Sequence, residues 1–221
     1  ELLLPYPATV LAALVRLARE VEFWGTAAVS LVRIAAGMAG GVLLGAVLAG
    51  LTSVSLWLEG LFAPMIRMIR ATPVASFILL VLLWTGRNQV PAVISGLMVL
   101  PVVWENLTQG IRSTDQQLLE LARAYRFSRG KVLRLVYLPS IKPYLLSALT
   151  TAMGLAWKSG VAAEVLCLPR PGIGTQINRA KQAFETADLF AWTAVVILLS
   201  LVMERGLTWL IQRKGRGEPR A

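Results

Sequence analysis

Few residues in this chain could do covalent chemistry. The sequence has no histidine and one cysteine, Cys167. That removes the commonest general base and metal ligand, and with it any internal disulfide or cysteine-rich metal site. The acids Glu105, Glu120, Glu164, Glu185 and Asp188 stand apart rather than in pairs. The phosphate-cradling pattern GxxxxGK[ST] does not occur, and its partial echo, Lys158-Ser159, lacks the glycine loop. No catalytic set can be assembled from these residues. Work on a substrate would have to draw its energy from elsewhere.

The ionisable residues that stand out do so by their surroundings. Arg33 and Lys158 fall inside apolar stretches, and charges at membrane depth mark substrate pathways or structural pairs. Counting about 1.5 Å per residue puts both in the outer part of the membrane. There they could line a vestibule for anions, with Trp157 beside Lys158 as a contact of the pathway. For Arg33 the other reading is a structural partner to a helix end or an acid, and Lys158 stays open between the two roles. Glu164 reads as structural or as part of a contact with a binding protein. Trp84 and Trp192 read as interfacial anchors.

The elements that would position these residues are membrane helices. Mean hydropathy is +0.65, and 56% of residues are hydrophobic against 15% charged, too apolar for an ordinary soluble domain. Residues 34–58 carry no charge and are long enough to span a bilayer. The apolar runs 71–86, 88–104, 143–157 and 189–203 are shorter and would be extended by snorkelling Arg and Lys. The expected fold class is an all-α polytopic membrane protein with five spans, at 26–51, 62–86, 90–110, 141–164 and 189–211. Residues 8–22 read as an amphipathic helix, so 1–25 form an outer segment, 26–212 the transmembrane domain and 213–221 a basic tail.

The net charge of +10 could suggest nucleic acid, but its distribution argues for sidedness. Five spans place Arg67, Arg70, Arg112, Arg123, Arg126, Arg129, Lys131, Arg134, Lys142, Arg205, Arg213, Lys214, Arg216 and Arg220 on one side. Only Arg16, Arg19, Arg87, Arg170, Arg179 and Lys181 fall on the other. The richer side is cytoplasmic by the positive-inside rule, and no nucleic-acid partner is expected. Glu1 would then lie outside, and a further span is expected before it. Gly37, Gly41, Gly45 and Ala49 recur every four positions and form a close-packing face, either within the chain or as a dimer seam. Pro64, Pro73, Pro91 and Pro101 mark boundaries or kinks.

The most unusual segment is LLELARAYRFSRGKVLRLVYLP, residues 118–139, a basic helix-prone stretch on the cytoplasmic side. Thr114 and Gln117 have capping-box spacing, and Asp115 suits the positive end of the helix dipole. Leu118, Ala122 and Tyr125, with Leu121 beside them, form an apolar strip, with Glu120, Arg123 and Arg126 turned elsewhere. A second short helix, 131–138, is expected to lead into Pro139.

From Glu120 through Ala122 and Arg126 to Val136, Leu138 and Pro139, this segment resembles the EAA loop of ABC-importer permeases. Leu121, Arg126 and Val136 replace the usual alanine, glycine and isoleucine. LLLPYPATVLAAL (2–14), SLVRIAAGMAGGVLLGAVLAG (30–50), IRATPVASFILLVLLWTG (69–86), GLAWKSGVAAEVL (154–166) and the PGIG turn at 171–174 are similar to permeases of the nitrate, sulfonate and taurine group. The resemblance implies a type I importer fold of six spans in the bacterial inner membrane. It also implies a coupling loop over 112–139, in which Leu118, Leu119, Glu120, Ala122, Arg123, Tyr125 and Arg126 dock into a cytoplasmic ABC ATPase. ATP would be bound by that subunit and no cofactor by this chain. A second permease copy, an extracytoplasmic binding protein and membrane lipid are the other expected partners. The solute would be small and anionic. A membrane-embedded enzyme and a passive channel are the alternatives, each working without an ATPase.

Overall fold

Helix follows helix along the chain. The structure, a computed structural model, describes residues 5–215, with side chains through Trp209; the expected tail at 213–221, with Arg213, Lys214, Arg216 and Arg220, lies outside the described side chains. The helices are α1 (Pro7–Ala18), α2 (Val21–Val54), α3 (Leu56–Ala71), α4 (Val74–Trp84), α5 (Val90–Arg112), α6 (Gln116–Ala124), α7 (Arg129–Val132), α8 (Leu138–Cys167), α9 (Ile173–Gln182) and α10 (Thr186–Gly215). A π-helical turn, Leu133–Tyr137, joins α7 to α8, so residues 129–167 run as one rod.

The small residues of α2 determine how the bundle closes. An added Cβ on Gly45 would stand 2.9 Å from the Leu100 carbonyl oxygen, and Gly37 and Gly41 face the backbones of Ala92 and Gly96 just as closely. In a bilayer, where lipid is as apolar as Leu, such backbone approach is a main source of helix association. The glycine seam is therefore spent inside the chain, between α2 and α5. Because 37, 41 and 45 meet 92, 96 and 100 in ascending order, the two helices run parallel. Helix α8 is antiparallel to both: Ser95 donates to the Ala156 carbonyl, Gly110 lies against Tyr144, and Ile34 packs on Gly160.

Parallel packing decides what the segment between them does. Helix α2 runs on to Val54, well beyond the level of Val90 where α5 begins. The chain must climb roughly 28 Å between those ends at about 1.5 Å per residue, so 55–89 is a crossing segment. The span expected over 62–86 is broken at Pro73, one of the prolines expected to mark a boundary or kink: α4 turns by 109° from α3. Pro73 has no N–H to donate and forces the residue before it out of the helical region. Thr72 accordingly is extended, at φ −80° and ψ 134°. Helix α3 packs on the inner end of α5 through Arg112–Glu59 (2.6 Å) and Arg70–Glu105. Helix α4 packs on the outer end, where Ile78 and Val81 join Val90, Ile94, Ala163 and Cys167.

Among the described residues, four helices or rods are long and apolar enough to cross a membrane, or five when the bent pair is counted as one span. Two further expectations change. The outer segment is a helix seated on the bundle: Ala13 and Leu17 are buried in the main core, and Arg16 pairs with Asp188 of α10 at 2.6 Å. Trp192 is no interfacial anchor; it is buried, with its ring 5.0 Å from that of Phe23. Trp84 is largely exposed at the end of α4.

Candidate functional site

The inner end of the bundle carries the first candidate site, α6. Asp115, not Thr114, caps it: the Asp115 carboxylate accepts from the Gln117 N–H at 2.8 Å, while the Thr114 hydroxyl turns back to the Gly110 carbonyl. A nine-residue helix is marginal alone, so its position depends on where it is seated. Ala122, 2% exposed, is the one buried residue of the helix. This alanine, one of the residues expected to dock, is covered by its own chain. The surface that points away consists of Leu118, Leu121 and Tyr125, the last 70% exposed, ringed by Glu120, Arg123 and Arg126. Leu119 is half-buried.

Helix α6 ends in a Schellman turn. The Phe127 N–H donates to the Ala122 carbonyl at 2.9 Å and the Arg126 N–H to the Arg123 carbonyl at 3.0 Å, which places the residue between in the left-handed region. Arg126 sits there with φ 51°, at the position where the resembled loop has glycine. The chain then enters α7 and the π turn, whose Leu138 N–H reaches back five residues to the Leu133 carbonyl. The wider turn lies immediately ahead of Pro139, which cannot donate. The separate helix expected over 131–138 is thus the foot of the α8 rod.

At the outer end, α2, α8 and the turn into α9 meet around Glu164, which is fully buried. Its carboxylate accepts from Arg33 Nη1 at 2.8 Å, Ser30 Oγ at 2.9 Å and the Gly174 N–H at 3.0 Å. Arg33 Nη2 also donates to the Pro171 carbonyl at 3.1 Å, and Ser30 Oγ accepts from the Ile173 N–H at 2.9 Å. An added Cβ on Gly174 would stand 2.5 Å from the Glu164 Cβ, so the glycine is what lets the turn close. The arrangement anchors α9, an element the sequence signals only by its glycine turn.

This geometry redistributes the expected pathway residues. The Arg33 guanidinium is committed to Glu164 and the outer turn and serves the fold. Trp157, 1% exposed, donates its indole N–H to the Val196 carbonyl at 3.0 Å; it packs α8 on α10 and presents no surface to a solute. Lys158 is exposed and, among the described residues, has no ion-pair partner. It shares an uncovered face of α8 with Ser147, Thr150, Thr151 and Ala162. The hydroxyls of Thr150 and Thr151 bond back to Ser147 and its neighbours, which lowers the cost of that face in an apolar medium.

A bundle with a broken second crossing, an amphipathic helix on its inner loop and a clamped outer turn narrows the comparison to transporters. Residues 41–216 match the family described as binding-protein-dependent transport system inner membrane components. The chain belongs to this family. The permease is 28% identical to the taurine transport system permease protein TauC of Escherichia coli, over 96% of this chain and 79% of that one. It is 28% identical to the putative aliphatic sulfonates transport permease protein SsuC of Bacillus subtilis, over 96% and 76%. It is also 28% identical to the bicarbonate transport system permease protein CmpB of Synechococcus elongatus, over 85% and 68%. A crystal structure of an amino acid ABC transporter superposes with a TM-score of 0.67, covering 86% of this chain and 90% of that one at 19% identity. The inward-facing MetNI methionine ABC transporter gives 0.63, over 86% and 93%, at 16% identity. The fold is that of the ABC importer permeases, and the permease is an inner-membrane transport subunit.

Proposed function

We propose that this permease moves a small anionic solute, of the sulfonate, taurine, nitrate or bicarbonate type, and that a separate cytoplasmic ABC ATPase drives it through α6. The observation that carries the coupling role is the outward face of α6: Leu118, Leu121 and Tyr125 exposed, with charges around them. A soluble-side helix that buries one alanine and exposes two leucines and a tyrosine is built to be covered. The anionic preference is supported by relatives named for taurine, aliphatic sulfonates and bicarbonate. Two copies of the permease would bring their uncovered α8 faces, with Lys158, to a shared path, lipid would cover the remaining apolar surface, and a binding protein would deliver the solute.

A coupling helix must transmit differential contact free energy between two states, or it shifts nothing. The test is copurification. The permease, tagged and coexpressed with its ATPase, is expected to bring the ATPase down in equal amount. Leu121→Glu and Tyr125→Asp should release the ATPase while the permease still elutes as a folded peak. Ala122→Glu would instead unseat α6 from its own chain and is the poorer probe. Full retention of the ATPase by the Leu121 and Tyr125 variants would defeat the coupling role. Solute flux indifferent to ATP would favour a passive channel.

A further inference from the structure

The outer end of the molecule separates its charges. One cavity, between α1, α2, α9 and α10, gathers Glu20, Glu22, Glu185 and Asp188, and Arg16 and Arg179 line it as well. A second, of about 810 Å³, lies between the α4–α5 loop and α9 and is lined by Arg87, Arg170 and Arg179 with no carboxylate. The remaining polar lining is Asn88, Gln89, Thr175, Asn178 and Gln182. Among the described residues none of the three arginines is in an ion pair. Asn88 Oδ1 takes the Arg170 N–H at 3.1 Å, and the Thr175 hydroxyl donates to the Pro169 carbonyl at 2.5 Å. The charged side chains that line this cavity are all guanidinium groups, one of which, Arg179, also lines the carboxylate-bearing cavity beside it.

We infer that this cavity is a binding site for a small oxyanion of the sulfonate or carboxylate class at the outer mouth of the permease. The inference rests on the anionic-solute reading and gives it a location. Guanidinium groups offer planar paired donors that match the oxygens of sulfonate and carboxylate. A concave wall of one charge sign also raises the local concentration of counter-ions. Cations gathered on one wall repel one another, and a bound anion relieves that repulsion. The α9 wall is held rigid from behind, by Asn178 donating to the Val165 carbonyl at 3.0 Å and by the Gly174 N–H on Glu164. The site is thus set on a fixed element and does not depend on a loop closing.

The same oxyanion chemistry is present in an anionic lipid headgroup, so the experiment separates the two sources. The tagged permease with its copurified ATPase is placed in phosphatidylcholine nanodiscs, and radiolabelled methanesulfonate binding is measured at constant ionic strength. Wild-type complex is expected to bind in saturable fashion. The triple variant Arg87→Gln, Arg170→Gln, Arg179→Gln should bind about tenfold more weakly or worse, as expected for losing charge-assisted hydrogen bonds. The triple Lys variant, which keeps charge without the paired donors, should fall between. Because all three side chains are exposed, elution and melting should be unchanged. Binding should survive replacement of part of the lipid by phosphatidylglycerol; its displacement there would assign the site to lipid and overturn the solute reading. Absent binding in the wild type, or equal binding in the Gln variant, overturns it as well, including where the Gln variant loses only stimulation by a binding protein. If the ATPase fails to copurify with the wild type, it is the importer reading that fails, and this outcome is read before any methanesulfonate is added.

Discussion

Gly41 of α2 lies where an added Cβ would run into the backbone of Gly96 on α5, whereas Gly40 beside it has open space. A backbone obstacle cannot rotate away, so Gly41→Leu must push two helices apart. The expected cost is about 1–3 kcal/mol or more, seen as a lowered melting temperature in detergent, with Gly40→Leu near wild type as the control. Arg126 presents the opposite case, a side chain where glycine fits better. The left-handed region costs an L-residue about 1–2 kcal/mol, and glycine's larger unfolded-state entropy returns about 0.4–1 kcal/mol of any gain. Arg126→Gly should therefore stabilise the α6 turn by about 1 kcal/mol or less. Slower hydrogen exchange at the Phe127 amide, which bonds to Ala122, would register it.

Elements are held here by a small number of polar attachments. Helix α9 depends on Glu164, whose carboxylate collects donors from α2 and from the turn. Removing one partner of a buried ion pair strands the other and costs about 3–5 kcal/mol, whereas replacing both with apolar groups costs far less. Arg33→Leu is accordingly expected to be strongly destabilising and to speed trypsin cleavage at Arg179 and Lys181 on the released α9. Arg33→Leu with Glu164→Leu should recover part of that loss; additive losses would mean the pair is not coupled. The bend between α3 and α4 has a different cause, the extended Thr72 that Pro73 requires. It leaves α3 with the inner end of α5 and α4 with the outer end, so one crossing is divided between two packing layers.

At the scale of the molecule, the parallel α2–α5 pair and the antiparallel α8 fix the relative direction of these three long helices, and the charge distribution says which end faces the cytoplasm. In a Cys167→Ser background, Ser128→Cys should react with a membrane-impermeant thiol reagent only from the cytoplasmic side. Phe184→Cys, exposed just after α9, should react only from outside. Labelling of both from one side would break the topology. The uncovered faces also have a pattern: the outward side of α2 shows Leu43, Leu44, Val47 and Leu51, suited to lipid, whereas the uncovered face of α8 carries Ser147, Thr150, Thr151 and Lys158.

Composition and charge order alone determined that this is a polytopic helical chain with a sided charge distribution. The 118–139 segment, with the stretches 2–14, 30–50, 69–86, 154–166 and 171–174, carried the likeness to the importer permeases. These features are local: they depend on apolar run length, proline positions and residue spacing, all of which are written along the chain. The partners of Arg33, the burial of Trp157 and Trp192, and the inward turn of Ala122 were not legible, because each depends on which face of one helix meets another far away in sequence. An isolated cation in an apolar run reads the same whether it faces a path or a carboxylate 131 positions away. The same holds for the outer cavity: Arg87, Arg170 and Arg179 come from separate loops and a helix, and only packing brings three unpaired cations to one wall.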